Sequence, residues 1–169
     1  MKNHESNAYE SGKQKLIPAV LVYLKKNNKQ ILMLYRNAKE GDFHGGKYNG
    51  LGGKLELGES FVQSAIREVY EEAGVSLKRS ELHYSGQLYF PNFKPHKGED
   101  WIVSVFWANL NSSQEPWSRG PEGDLVWVDA ENILNLNLWE GDRMFLPHVC
   151  DEKKIHGTFW YENKSLKSC

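Results

Sequence analysis

The hydrophobic positions fall into short clusters whose period changes along the chain. Ile17 to Leu24 (IPAVLVYL) is an apolar, β-branched run that reads as a strand. Lys25-Lys26-Asn27-Asn28 turns the chain, and Gln30 to Tyr35 (QILMLY) reads as a second strand, which predicts a hairpin. Residues 37–54 contain six glycines together with His44, Tyr48 and Asn49, the make-up of a binding loop; Gly52-Gly53 marks backbone that tolerates no side chain. The period then becomes helical. From Phe61 to Ala73, at 100° per residue, Val62, Ala65, Ile66, Val69 and Ala73 gather on one apolar arc that would face a sheet. Ser60 and Gln63 fit a capping box before this helix, and Gly74 fits its stop. Further strands are predicted at 82–90, 102–110 and 125–128, helices around 130–136 and 143–150, and a closing strand at 155–162. Strands outnumber helices and do not alternate regularly with them, so a mixed β-sheet flanked by helices is expected. Residues 1–14 read as a flexible, polar N-terminal tail and 15–164 as one domain.

The helix carries a second arc beside the apolar one. Glu68, Glu71 and Glu72 lie within about 100° of each other, with Glu68/Glu72 at i,i+4 and Glu68/Glu71 at i,i+3. Like charges at these spacings cost a few tenths of a kcal/mol per pair, and more in a cleft, unless a cation stands among them. All-oxygen ligands with room for water suit Mg²⁺, with Mn²⁺ as substitute. The alternative is a solvated acidic helix face, which leaves Arg67, the Gly53 turn and Glu59 without a role.

Composition excludes more than it selects. The chain has 169 residues, 40% hydrophobic and 25% charged, and a net charge of −1. That balance gives no global electrostatic case for nucleic-acid or membrane binding, so a polyanionic substrate would be held locally through metal. The two cysteines, Cys150 and Cys169, form no disulfide framework and no CxxC pair. No signal peptide or membrane-length apolar run is present, and a cytoplasmic protein is expected, as monomer or homodimer.

Gly53 to Val75 reads GKLELGESFVQSAIREVYEEAGV and fits G-x5-E-x7-R-E-U-x-E-E-x-G-U, with U aliphatic, at Gly53, Glu59, Arg67, Glu68, Val69, Glu71, Glu72, Gly74 and Val75. At roughly 5–7% usage per residue type, chance agreement is below about one in a million. The stretch resembles the signature of the Nudix hydrolases. The resemblance implies an α/β/α sandwich with a mixed central sheet, and hydrolysis of a nucleoside diphosphate linked to a further group. It also implies that Glu68, Glu71 and Glu72 bind metal, with the Gly53 carbonyl as a further ligand. Catalytic roles would fall to Glu68, Glu71 and Arg67: Glu68 as the leading candidate for the base that activates water, Arg67 pairing with Glu59 to orient the carboxylates.

The flanking segments resemble the MutT-like 8-oxo-dGTP diphosphatases. "HGGKYNGLGGK" is similar to their entry loop, in which Asn49 would read a purine, and "GDLVWV" follows Glu122, which would be an extra metal ligand. "LWEGDRMFLP" is similar to their base-binding segment, implying Trp139 for stacking and Asp142 for the purine edge. "HGTFWY" matches their last strand, so the resemblance spans about 17–161. Each flank also has a structural reading: Asn49 as a turn residue beside Gly50, Trp139 as a packed aromatic, Asp142 as a helix N-cap. Gly141-Asp142 departs from the two adjacent acids of animal members and is closer to a bacterial Trp-Glu-Gly-Asp run. Other nucleoside diphosphate derivatives (a dinucleotide, a nucleotide sugar, an RNA 5′ end) and a non-hydrolysing nucleotide sensor are the rival readings. His44 is the one histidine worth testing, and Phe90, Phe93, Trp101 and Phe106 would either line the cleft or fill the core.

Overall fold

The computed structural model describes residues 7–27, 29–37, 45–162 and 165–169; His44 lies outside the described residues. β1 (Lys15–Lys26) runs through the middle of a seven-stranded mixed sheet. It pairs in parallel with β5 (Glu99–Asn109), from Lys15 opposite Glu99 to Lys25 opposite Asn109. β4 (His83–Lys94) lies antiparallel to β5, and β7 (Ile155–Thr158) lies parallel to β4. On the other side stand β2 (Gln30–Tyr35), β3 (Tyr48–Asn49) and β6 (Asp124–Asp129), with β2 antiparallel to both neighbours.

Alternation along the central strands sorts their side chains into two cores. Val20, Val22 and Leu24 of β1, with Leu32 and Leu34 of β2, pack under α1 (Phe61–Ala73) against Ala65, Val69 and Ala73. Ala19 and Tyr23, with Ile31 and Met33, face the opposite way and pack against Phe145, Leu146 and Val149 of α2 (Glu140–Cys150). With both faces of the sheet covered, β1 and β2 have no solvent side, which is why they read as apolar runs. The architecture is an α/β/α sandwich with a mixed central sheet. The whole apolar arc of α1, Val62 and Ile66 included, packs into its core. Its capping box at Ser60/Gln63 and left-handed Gly74 stop (φ 70°) are both formed.

Several elements differ from the sequence expectation. The helix expected at 130–136 is a six-residue 3₁₀ turn, Ala130–Asn135. α2 begins at Glu140 rather than 143, so Asp142 sits inside its first turn and Trp139 occupies the N-cap position without capping the helix through its side chain. The closing strand divides at Phe159, which turns inward, 5% exposed, while its N–H donates to the Tyr89 carbonyl at 2.8 Å. β8 (Trp160–Glu162) then pairs with β9 (Ser165–Ser168), a short polar strand without apolar alternation. Phe106 packs on the α1 side of the sheet, away from Phe90 and Phe93. Within the N-terminal segment, Tyr9 and Gln14 both donate to the Asp100 carboxylate of β5.

Candidate active site

The cleft exists because β1 and β2 part company. They pair only at Lys25/Ile31 and Lys26/Gln30, next to their turn. Farther along, residues 48–54 wedge between them: β3 pairs with Leu34 and Tyr35 of β2, while Leu51 and Lys54 bridge to Val22 and Ala19 of β1. The wedge must be thin. A Cβ on Gly52 would stand 2.0 Å from the Val20 carbonyl oxygen, and its φ of +149° excludes a side chain independently. A Cβ on Gly53 would meet the Glu68 carboxylate at 2.3 Å. The Gly53 carbonyl accepts the Val20 N–H at 2.9 Å, which leaves its second lone pair available.

Carboxylates gather below this wedge. Arg67 Nε and Nη2 donate to the two oxygens of Glu59 at 2.8 and 3.0 Å, a bidentate pair that holds Glu59 down at about 2. Its Nη1 reaches Glu68 Oε1 and Glu71 Oε2, both at 2.9 Å, and Nη2 also reaches the Lys54 carbonyl at 3.1 Å. One guanidinium therefore ties three carboxylates to the Gly53–Lys54 backbone. Burial raises the Glu68 carboxyl above its ordinary value, against the pull of Arg67. Glu72 is 5% exposed and accepts the Gly52 N–H at 2.8 Å. Burial first, then the neighbouring Glu122 and Glu68 carboxylates, push it up to about 9. Glu122 receives Arg36 Nη1 at 2.6 Å.

As the side chains stand, no three acidic or imidazole groups among the described residues converge tightly enough to enclose an ion. Glu68 and Glu71 are turned onto Arg67, and Glu72 onto the Gly52 amide. Glu72 and Glu122 line the cleft, Glu68 lies beneath Gly53, and Glu71 is half-exposed beyond Arg67. The donor set is oxygen only, crowded and self-repelling, which fits a hard divalent cation such as Mg²⁺.

Much of the rest of the cleft wall is aromatic. The cavity, about 320 Å³, is also lined by Asn49, Phe90, Phe93, Trp101, Trp139, Asp142 and Tyr161. That size is at the lower end for a small-molecule site, roughly 300–1,000 Å³. The Trp139 ring is buried, with Tyr161 edge-on at 6.0 Å and Lys47 Nζ over it at 4.8 Å. Asn49 is half-buried and its amide donates only a long bond, 3.4 Å, to the Lys47 carbonyl. Burial pushes Asp142 up to about 7, with Lys47 pulling the other way. The neighbouring Tyr23 hydroxyl is buried under Gly50 without a hydrogen-bond partner among the described residues.

The glycine before Asp142 has a local cause. The Gly141 N–H donates to the Tyr161 hydroxyl at 2.7 Å, and a Cβ there would stand 2.7 Å from that hydroxyl and 3.1 Å from Phe159. An acid at this position would displace Tyr161 from the cleft wall. Sequence reasoning missed Tyr161, Arg36, Lys54 and Lys94 as lining residues. Tyr161 and Lys54 left a signal, their places in the "HGTFWY" and "HGGKYNGLGGK" segments.

The family model of the NUDIX domain matches residues 15–149. An oxidized purine nucleoside triphosphate hydrolase from Danio rerio is 32% identical over 128 residues, 76% of this chain and 78% of the relative. An uncharacterized Nudix hydrolase from Bacillus subtilis is 33% identical over 111 residues, 65% of this chain and 69% of the relative. Among solved structures, a MutT protein from Bacillus halodurans superposes with a TM-score of 0.75 at 26% identity, covering 90% of this chain and 95% of that one.

Proposed function

The chain belongs to the NUDIX family and is a MutT-like hydrolase of phosphoanhydride bonds; from that premise we propose that it hydrolyses purine nucleoside triphosphates, oxidised ones such as 8-oxo-dGTP above all, to the monophosphate and pyrophosphate. The observation that carries this reading is a single cleft lined both by a carboxylate set, Glu72 and Glu122, and by Asn49, Trp139 and Asp142. The relative from Danio rerio, named for oxidized purine nucleoside triphosphates, supports the same substrate class.

Mg²⁺, when bound by Glu68, Glu71, Glu72, Glu122 and the Gly53 carbonyl, would neutralise charge on the phosphates and acidify the attacking water. The remaining work belongs to the chain's own groups. Glu68 takes the water proton as oxygen attacks phosphorus and the bridging P–O bond breaks. Arg67 fixes the Glu68 and Glu71 carboxylates to a helix whose register Gly53 fixes in turn. In the same cleft, burial keeps a large share of Asp142 neutral near pH 7. A neutral carboxyl donates through O–H and accepts through its carbonyl, the match for the adjacent acceptor and donor of a guanine-type lactam edge. Asn49 offers a second donor–acceptor pair, and Trp139 an apolar wall.

A substrate panel tests this directly: kcat/KM with Mg²⁺ for 8-oxo-dGTP, dGTP, a nucleotide sugar and a dinucleotide. The proposal expects both triphosphates to exceed the other two and 8-oxo-dGTP to lead. Equal rates on 8-oxo-dGTP and dGTP would remove the preference for oxidised purines, and no turnover of either would remove the purine triphosphate reading.

A further inference from the structure

The aromatic wall of the cleft continues past the groups assigned to the base. Tyr161 meets Phe93 at 6.1 Å, and Phe93 meets Trp101 edge-on at 5.6 Å. The wall ends in two cations on one ring: Lys54 Nζ lies 5.1 Å and Lys94 Nζ 4.8 Å from the Trp101 centroid. Trp101 is held in place by its indole N–H, which donates to Glu99 at 3.1 Å. Lys94 reaches the ring because β4 bulges between Phe90 and Lys94 before re-pairing with Glu99. Lys54 follows Gly53 directly in the chain, and both lysines line the same cleft as Glu72 and Glu122.

Neither ammonium forms an ion pair within 4.0 Å among the described residues. Burial, and then Lys54, Lys97 and Arg36, press the Lys94 ammonium toward its neutral form, against the opposing pull of Glu99. Half-buried Lys94 and exposed Lys54 share one aromatic face and repel each other, and the ring's quadrupole offsets only part of that. An anion seated between them removes the conflict. Resting on the triphosphate reading above, we propose that Lys94, with Lys54 beside it, contacts the terminal phosphate of a nucleoside 5′-triphosphate and makes the length of the phosphate chain a recognised feature. A nucleotide sugar or dinucleotide puts an uncharged sugar or a nucleoside where the free terminal phosphate would be, and gains less from that contact.

The test pairs Lys94→Met, which keeps the stem and removes the charge, with Lys97→Met, which removes an exposed neighbouring charge. Calorimetric titration with inorganic tripolyphosphate and with orthophosphate, in Mg²⁺ buffer, reads binding without turnover. Lys94→Met is expected to weaken tripolyphosphate about tenfold, the scale of one charge-assisted hydrogen bond, and orthophosphate much less. In steady-state assays KM for the triphosphate rises by a similar factor while kcat stays within about threefold, and Lys94→Arg recovers most of the loss. Wild-type tripolyphosphate affinity in Lys94→Met, or an equal loss in Lys97→Met, overturns the proposal. Should the wild type turn over no nucleotide, the functional reading falls separately, because the tripolyphosphate titration still judges Lys94.

Discussion

The carboxylates assigned to the site, except Glu122, come from one stretch, Gly53 to Glu72, in which a single guanidinium holds Glu59, Glu68 and Glu71 and the Gly52 amide holds Glu72. Asn49, Phe93, Trp101, Trp139, Asp142 and Tyr161, which line the same cleft, come from separate strands and a helix, brought together only by the fold. The first set is a local device: helix geometry sets the carboxylate spacing, and Arg67 orients three of them. The second is a product of topology, in which each wall residue depends on packing from another element. On the proposed function, chemistry and substrate choice are built by these different means, and substitutions in the two sets should move different kinetic parameters.

The largest effect is expected from Glu68→Gln. With Glu68 as the proposed base, removing its carboxylate while keeping its shape lowers kcat about 10²–10⁴-fold and leaves nucleotide binding within a few-fold, measured by pyrophosphate release and equilibrium titration. A variant that lost binding and turnover together would blur the distinction between the two sets. Next is Arg67→Lys, which cannot make the bidentate pair with Glu59 and reach Glu68 and Glu71 as well. It should lower kcat about 10–100-fold with little change in KM, since it acts through the orientation of other groups.

Asp142 sharpens the comparison from the other side. Asp142→Leu, which removes both donor and acceptor, is expected to raise KM for purine triphosphates about tenfold with kcat nearly unchanged, whereas Asp142→Asn, which keeps one of each, stays near the wild-type KM at acidic pH. The wild-type KM itself should climb as pH rises through about 7, because ionisation removes the carboxyl O–H, and this climb should vanish in Asp142→Asn. The smallest effect is on stability. The folded carboxyl binds its proton more tightly than the unfolded one, so its contribution to stability falls as pH rises from about 4 to about 7 and is level above that. Asp142→Asn should therefore gain in Tm relative to wild type at pH 8 and not at pH 4, read by thermal melts at the two pH values.

The same difference in construction decides how much the sequence could say. The bounds of α1 and β2, the Ser60 capping box and the Gly74 stop follow from local spacing and were legible there. So was the demand for bare backbone at Gly52-Gly53, because a glycine pair before a carboxylate helix has few other uses. Sidedness was not: Phe106 and Phe90 sit in similar apolar runs, and only the strand register sends them to opposite faces. Lys94 gave no signal because its position depends on a bulge, and β9 none because its single apolar residue, Leu166, makes no alternating pattern. The early start of α2 escaped because Trp139 leads the helix without a capping side chain.

The central claim is that one set of cleft residues does chemistry while another chooses the base, and a single kinetic comparison addresses it. The ratio of kcat/KM for a purine over a pyrimidine nucleoside triphosphate is measured in wild type, Glu68→Gln and Asp142→Leu. Glu68→Gln is predicted to lower both rates and keep the ratio, while Asp142→Leu keeps kcat and lowers the ratio about tenfold. An unchanged ratio in Asp142→Leu, or a wild type without purine preference, would contradict it.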